Sequence, residues 1–307
     1  MSSPTLETKC RTHKEYTIGW VCALPKELTA AIAMLDTEHP DLETPATDQN
    51  SYTLGSIGKH NVVIATLPKG QIGTNSAAVV AAQMVSSFPN IRFGLMVGIG
   101  GGVPPKVRLG DVVVSAPGLT NPGVIQWDLG KAVGVQTKYE VGVFKIPQYL
   151  AELKKKYPRL ASKYLRGEEL RDVAFKSNVP HIEKSIEADE DEEEEEEEGE
   201  ENGCRFCDKT KTFKENTRGM LVHFGLIASG DKVIEDAKMR NQINKELGGR
   251  VLCFEMEAAG LSTVFPCLVI RGICDYADAH KYKLWQEHAA AIAAAFAKEL
   301  LEYVQGS

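Results

Sequence analysis

Short apolar runs alternate with amphipathic segments through most of this chain. The apolar runs are typical of buried β-strands, and the amphipathic segments repeat apolar residues every three or four positions, as one face of a helix does. The first such stripe begins after Pro25, a residue that favours the first turn of a helix, and consists of Leu28, Ala31, Ile32 and Leu35. Alternating strands and helices predict an α/β fold with a largely parallel sheet.

The same two patterns predict the remaining strands and helices. Predicted strands cover residues 16–22, 51–57, 61–67, 93–99, 111–115, 220–228, 251–254 and 266–274. Predicted helices follow Pro25 and cover residues 74–87, 147–157, 234–247, 256–263 and 284–304. We therefore expect a single three-layer α/β domain over residues 16–307, with a mixed central sheet flanked by helices, after an N-terminal tail of residues 1–15.

The periodic pattern weakens between about residues 131 and 217, which we interpret as a variable insertion. Within it, residues 187–202 are almost entirely Asp and Glu. Such a tract repels itself and has no apolar surface to bury, so the sequence predicts a disordered segment inside the insertion.

Composition narrows the possible functions. The formal net charge of −7 becomes +6 when the thirteen acidic residues of 187–201 are left out, and the basic residues are dispersed, which argues against nucleic-acid binding. No apolar run is long enough for a membrane helix, and the N-terminus has no signal-peptide pattern. Seven cysteines without a disulfide framework are typical of a reducing compartment, so we expect a cytoplasmic protein without membrane partners.

A glycine-dense segment follows the clearest buried strand. It reads Val97-Gly98-Ile99-Gly100-Gly101-Gly102, but it lacks the third glycine of a dinucleotide-binding turn, and Pro104-Pro105 opposes the helix that should follow. Because glycines leave room beside the backbone, this strand end is a candidate for direct contact between a ligand and backbone N–H groups.

Acidic residues follow two other predicted strands. Glu255 and Glu257 come after one strand, and Asp275 and Asp278 come after another. Singly, each fits a helix cap or a helix first turn. Together they would meet at the carboxyl ends of strands, where open α/β sheets bind ligands.

Several motifs in order resemble the nucleoside phosphorylase and nucleosidase superfamily. They are Ile18-Gly19, Ala23-Leu24-Pro25-Lys26-Glu27, the glycine-dense segment, Ser229-Gly230-Asp231, Glu255-Met256-Glu257-Ala258-Ala259 and Arg271-Gly272-Ile273-Cys274-Asp275-Tyr276-Ala277-Asp278. The chain is most similar to the methylthioadenosine/S-adenosylhomocysteine nucleosidase branch and to purine nucleoside phosphorylase-like domains common in fungal proteins.

The resemblance implies a role for each matched residue. Asp275 corresponds to the acid that protonates purine N7, and Glu27 to the carboxylate that orients or deprotonates water. Glu257 corresponds to the group that accepts the ribose hydroxyls, with Met256 against the sugar. Arg271 corresponds to an arginine that lies near this carboxylate network. The full set of predicted substrate-binding residues is Glu255, Met256, Glu257, Ile99, Gly100, Gly101, Arg271, Trp285 and Val233. His280 is a further candidate for a ribose contact.

The chemistry independently suits these roles. Cleavage of an N-glycosidic bond leaves negative charge on the base and positive charge on the sugar, so an acid is needed beside the base and carboxylates beside the ribose. Asp275 and Glu257 would divide that work. Asp275 would need a raised pKa, which burial at a strand end provides.

Two departures from the family pattern favour water over phosphate as the nucleophile. Met96 and Ile99 stand where phosphorylases of the superfamily carry an arginine and a serine for phosphate, although Lys69 could serve as a displaced cation.

Cys274 replaces the serine that precedes the aspartate in the nucleosidase branch, and Trp285 aligns with an aromatic residue over the 5′ end of the substrate. We therefore do not expect a preference for 5′-alkylthio substrates.

The sequence thus predicts a purine nucleoside N-ribohydrolase without cofactor or metal, acting on a small molecule and forming a homo-oligomer, with a dimer favoured. A phosphate-dependent purine nucleoside phosphorylase and a non-catalytic nucleoside-sensing module remain as alternatives. Cys204 and Cys207 form a C-x-x-C pair without a second pair at zinc-finger spacing, so a structural zinc is not favoured.

Overall fold

The computed structural model describes residues 11–117, 123–129, 145–165, 170–182, 204, 207–213, 218–264, 266–281 and 283–305. The strands are β1 Ile18–Cys22, β2 Thr37–Glu38, β3 Tyr52–Ile57, β4 His60–Thr66, β5 Phe93–Gly102, β6 Val112–Ser115, β7 Val124–Gln126, β8 Val222–Ser229, β9 Val251–Glu255 and β10 Cys267–Asp275. The helices are α1 Pro25–Met34, α2 Thr74–Ser87, α3 Ile146–Lys156, α4 Pro158–Tyr164, α5 Ala237–Glu246, α6 Ala258–Ser262 and α7 Trp285–Tyr303.

The ten strands form one mixed sheet. The order runs β10-β6-β8-β9-β5-β1-β4-β3-β2, with β7 beside β8. Because β10 also pairs with β5, the strands β5, β10, β6, β8 and β9 close into a circuit. β1 runs parallel to both of its neighbours, β4 and β5, and β10 runs parallel to β5. β9 lies antiparallel to β5. The end of β5 therefore lies next to the ends of both β9 and β10.

Helices cover both faces of the sheet. α1, α3, α4 and α7 share one apolar core with buried residues of β1, β4 and β5. α2 and α6 contribute to a second core on the other side. The approach of α7 to β10 is very close, because a Cβ at Gly272 would collide with the carbonyl oxygen of Ala289. The three-layer α/β architecture predicted from the sequence is confirmed.

The main differences from the predicted elements are the length of β5 and three short elements that were not predicted. β5 does not end before the glycines but continues as a strand through Gly102, so the glycine-dense segment is strand rather than turn. The short strands β2 and β7 and the helix α4 were not predicted. The acidic tract 187–202 lies outside the described residues, and the predicted domain limits stay predictions. No helix in the described part of the chain combines the length and apolarity required to cross a membrane.

Candidate active site

An open cavity of about 240 Å³ lies where the carboxyl ends of β5 and β10 meet the segment between β9 and α6. Its size is slightly below the roughly 300 Å³ at which small-molecule pockets begin, so it suits a small ligand. All but two of the predicted site residues line it: Glu27, Ile99, Gly100, Gly101, Val233, Glu255, Met256, Glu257 and Asp275. Arg271 and Trp285 do not.

Glu27 is buried in the first turn of α1, and three backbone groups hold its carboxylate. Oε2 accepts hydrogen bonds from the N–H groups of Ala23 at 2.7 Å and Leu24 at 2.9 Å, and Oε1 accepts one from Ile99 at 2.8 Å. A side chain at Gly98 would collide with this carboxylate. Burial raises the pKa of Glu27, although Arg271 and the three N–H donors oppose the shift.

Arg271 lies beneath the cavity, in the middle of β10, and is 1% exposed. Its guanidinium bonds to Glu255 and stands 3.6 Å from Oε2 of Glu257. Burial alone would lower the pKa of Arg271, but Glu255, Glu257 and Glu27 together raise it above its ordinary value. Arg271 thus lies beside the carboxylates, as the resemblance implied, and it positions those that face the cavity. Its predicted contact with a substrate stays a prediction.

Two glutamates at the β9–α6 junction face the cavity. Oε2 of Glu255 accepts hydrogen bonds from the N–H groups of Glu257 at 3.1 Å and Ala258 at 3.0 Å. The other oxygen, Oε1, is buried and has no hydrogen-bond partner among the described residues. Glu257 accepts a hydrogen bond from the Gly73 N–H at 3.3 Å. The pair thus presents carboxylate oxygens that a ligand with hydroxyl groups can satisfy.

The environment raises the pKa of Glu257 to about 7. Burial is the main cause, Arg271 opposes it, and the negative charges of Glu255 and Glu27 reinforce it. One guanidinium faces three carboxylates, so full ionisation would leave excess negative charge in a buried space.

This pKa predicts a pH-dependent stability. A carboxyl whose pKa rises from 4.5 to about 7 on folding stabilises the fold at low pH, and this contribution is lost as pH rises toward 7 and above. The full effect corresponds to about 3 kcal/mol. Glu257→Gln should therefore show a smaller fall in Tm than the wild type between pH 5 and 8, measured by calorimetry.

The exposed Glu246→Gln, which makes the same chemical change on α5, should keep the wild-type dependence on pH. Equal slopes for the wild type and Glu257→Gln would show that Glu257 does not titrate in this interval.

Asp275 ends β10 on the other side of the cavity, paired with Gly101 of β5. Its Oδ1 accepts a hydrogen bond from the Ala277 N–H at 2.7 Å, and a Cβ at Gly101 would lie 2.8 Å from the same oxygen. Burial raises the pKa of Asp275, Lys281 opposes the shift and Asp278 adds to it. The glycine therefore leaves room for a carboxyl group that holds its proton more tightly than usual.

Trp285 lies outside the cavity. It is fully buried at the start of α7, its ring packs against Gly110, and its Nε1 donates to the carbonyl of Arg171 at 3.1 Å. Trp285 is therefore a core residue, and the predicted substrate contact is wrong. The resemblance implied an aromatic residue over the substrate at this position of the chain, but the packing of α7 turns the Trp285 ring into the second core.

Two further candidates lie outside the residues that line the cavity. The ring of His280 stacks on Phe175 with centroids 4.1 Å apart. Lys69 is exposed. The structure therefore does not bring His280 or Lys69 together with the carboxylates, and their suggested contacts with ribose and phosphate stay predictions.

Several residues around the cavity were not predicted from the sequence. Lys281 and Gln286 lie on the loop and helix that follow Asp275, and Lys232 and Ile234 flank the predicted Val233. Their only signal was proximity to motifs in the sequence. Asp231, by contrast, does not line the cavity but accepts a hydrogen bond from the Thr74 N–H at 2.7 Å, so this part of the motif fixes the start of α2.

Comparison with known proteins places the chain in a family. The model of the phosphorylase superfamily matches residues 17–305. The chain belongs to this superfamily. A nucleotide-binding leucine-rich repeat (NLR)-like protein of Hyaloscypha variabilis is 45% identical over 300 residues, which are 94% of this chain and 29% of that protein. The chain thus spans less than a third of that relative's length.

More distant relatives match over nearly their whole length. The 5′-methylthioadenosine/S-adenosylhomocysteine nucleosidase of Mycobacterium bovis is 24% identical, with 93% of this chain and 95% of that protein aligned. Futalosine hydrolase of Helicobacter pylori superposes with a TM-score of 0.57 at 16% identity, covering 95% of this chain and 100% of that structure. A 5′-methylthioadenosine/S-adenosylhomocysteine nucleosidase of the same organism, complexed with a pyrrolopyrimidine compound, gives 0.56 at 15% identity, covering 94% and 99%. The structures share the fold.

Proposed function

We propose that this protein is a purine nucleoside N-ribohydrolase, which cleaves the N-glycosidic bond with water to give free base and ribose. The observation that carries the proposal is the pair of differently held carboxyl groups bordering one small cavity. Burial raises the pKa of both groups, but Asp275 has a single backbone donor, whereas Glu27 is held by three N–H groups and lies near Arg271. Such a division suits an acid for the leaving base and an acceptor for the incoming water.

Each group has a task in this reaction. Asp275 donates its proton to N7 of the purine as the bond to the anomeric carbon lengthens. Glu257, once ionised, accepts hydrogen bonds from the ribose hydroxyls, and its charge favours the developing ribosyl cation. Glu27 accepts a proton from the attacking water. Atoms balance because the water supplies the hydroxyl group of ribose, and its other proton goes to Glu27. Glu27 then releases this proton to solvent, and Asp275 takes up a proton from solvent in place of the one that left on the base.

The surroundings of Glu27 favour water over phosphate. The Ile99 N–H already donates to Glu27, Met96 is fully buried, and Arg271 is occupied by carboxylates. A phosphate dianion placed there would meet a carboxylate without gaining charge-assisted donors, and burying an unpaired ion costs several kcal/mol. Lys232 and Lys281 line the cavity, but Lys281 acts on Asp275 at the opposite side.

The comparisons support the general chemistry. Relatives over the full length of this chain carry the names of nucleosidases and a hydrolase, and the fold is shared. The choice of purine nucleosides is our own inference from the family motifs and from Asp275. The NLR-like relative, of which this region is 29%, supports the alternative of a nucleoside-sensing module within a larger protein. The set of Glu27, Glu257 and Asp275 argues for turnover even in that setting.

The experiment that tests the proposal is a panel of purine and pyrimidine nucleosides in phosphate-free buffer, with base and sugar products separated by chromatography. We expect purine release with ribose as the sugar product, at a rate that added phosphate does not increase. Turnover that requires phosphate, with accumulation of ribose 1-phosphate, would show a phosphorylase. Tight binding of a nucleoside without release of base would show a sensor.

We further propose a cytoplasmic location and a homodimer in which the released base can enter purine salvage. The six cysteines within the described residues are all free thiols, which supports a reducing compartment. The dimer rests on the resemblance to the nucleosidase branch alone.

A further inference from the structure

A second cluster of reactive side chains lies outside the candidate active site. Nδ1 of His181 stands 3.3 Å from Sγ of Cys207 and 4.0 Å from Sγ of Cys204. All three atoms lie within 4.8 Å of one another. The sequence brings the two cysteines together as a C-x-x-C pair, but His181 lies on the far side of the acidic tract, and only the fold adds it to the pair.

The spacing of these atoms fits a tetrahedral zinc ion. Bond lengths of about 2.3 Å to sulfur and about 2.0 Å to nitrogen place tetrahedral sulfur and nitrogen ligands about 3.6 Å apart. The two observed distances lie on either side of this value. We propose that His181, Cys204 and Cys207 bind a structural zinc ion, with Nε2 of His280 as the fourth ligand.

Backbone contacts around the sulfur atoms match this role. The Cys207 N–H bonds to the carbonyl of Cys204 at 3.3 Å, which closes the turn that points both thiols the same way. The N–H of Ile182 points at Sγ of Cys207 from 3.5 Å. Hydrogen bonds from backbone N–H groups to a ligating sulfur are the kind of surrounding contact that tunes metal sites.

His280 is placed to complete the site. Its side chain is only 5% exposed, its ring lies 5.4 Å from the ring of His181, and its Nε2 has no hydrogen-bond partner among the described residues. Its Nδ1 faces Oδ1 of Asp278 at 3.9 Å. A histidine that ligates zinc through one nitrogen commonly directs the other to a carboxylate. His280 is not within the 4.8 Å cluster itself, so its ring would have to turn toward the cysteines for the buried nitrogen to reach the ion.

The site also has a structural purpose. The segment around it buries only a small apolar cluster of Phe175, Val179 and Cys207, with Cys204 packed against it, and so little apolar area stabilises a fold weakly. A metal ion would supply the missing stability. Because His280 lies on the loop that follows Asp275 at the end of β10, the zinc would tie the insertion to the loop next to the proposed acid.

The test is the metal content of the full chain purified without chelators, measured by inductively coupled plasma mass spectrometry. We expect about one zinc per chain in the wild type. The control variant Cys267→Ser should also keep about one zinc, because Cys267 lies at the start of β10, away from the loop that carries His280. The double variant Cys204→Ser/Cys207→Ser should lose at least nine-tenths of it, with a fall in Tm.

Cobalt substitution of the wild type tests the ligands without depending on the folding of a variant. Bound Co²⁺ should give a thiolate charge-transfer band and the strong visible bands of tetrahedral coordination. His280→Ala should weaken zinc affinity at least tenfold while keeping the thiolate band. The proposal would be overturned if the wild-type protein held no zinc and gave no cobalt–thiolate band. A disulfide between Cys204 and Cys207 in the wild type would also overturn it. Unchanged affinity in His280→Ala would overturn the assignment of the fourth ligand.

Discussion

Asp275→Asn should fold normally and turn over purine nucleosides about a hundred to ten thousand times more slowly than the wild type, which is the usual contribution of a general acid. Asparagine has nearly the same shape and keeps an oxygen for the Ala277 N–H that now bonds to Oδ1 at 2.7 Å. It has no acidic proton for N7 of the leaving base. The loss should therefore appear in kcat rather than in the affinity for the nucleoside.

Leaving-group chemistry makes this prediction specific. A riboside with p-nitrophenolate as leaving group needs no protonation, so Asp275→Asn should slow its hydrolysis far less than that of inosine. The pH profile should also change, because only a protonated Asp275 is active and the wild-type rate should fall as pH rises through its raised pKa. This alkaline fall should be missing in Asp275→Asn.

Asp236→Asn is the matched control, since Asp236 caps α5 and asparagine caps helices equally well. It should retain the wild-type rate. If Asp275→Asn also retained it, or lost equal amounts of rate on purine and p-nitrophenyl ribosides, Asp275 would not be the acid.

Much of the fold could be predicted because local patterns and tertiary packing agree. The helix 74–87 was predicted with the limits of α2, since its apolar face is regular and buried. The end of β5 was harder. Glycine is unusual inside a strand, and the sequence gives no sign that β9 and β10 both need close approach to Gly100 and Gly101. Long-range contacts of this kind decide where such a strand ends.

The site divides in the same way. Residues that follow strand ends, such as Glu257 and Asp275, could be placed at one cavity from the topology of α/β sheets. The place of Arg271 beside the carboxylates was implied by the family motif. The burial of Trp285 depends on the rotation of α7, which position along the chain does not show. The proximity of His181 to Cys204 could not be predicted either, because the acidic tract separates them in sequence.

The three carboxylates near Arg271 are expected to destabilise the fold. Glu27, Glu255 and Glu257 share one guanidinium, and burial penalises each charge. A fold optimised only for stability would replace some of them with neutral groups. In our proposal these carboxylates are retained at the small open cavity because they bind a ligand that has hydroxyl groups and develops positive charge.

Glu27→Gln is expected to abolish most hydrolysis and to cost stability at the same time. Three N–H groups point at the Glu27 carboxylate, and an amide offers only one oxygen. If that oxygen faces Ala23 and Leu24, the NH₂ group faces the Ile99 N–H, and two donors oppose each other. The variant should show a lower Tm and a large loss in kcat.

The stability loss must be separated from the loss of catalysis, so rates are measured well below the Tm of the variant and compared with binding of the product base. Glu27 lies on the water side in our proposal, so affinity for the base should change little while kcat falls by at least about a hundredfold, the lower range for a missing general base. Glu246→Gln should match the wild type in both. A variant that hydrolyses at the wild-type rate, or that loses only base affinity, would remove Glu27 from the activation of water and reopen the phosphorylase alternative.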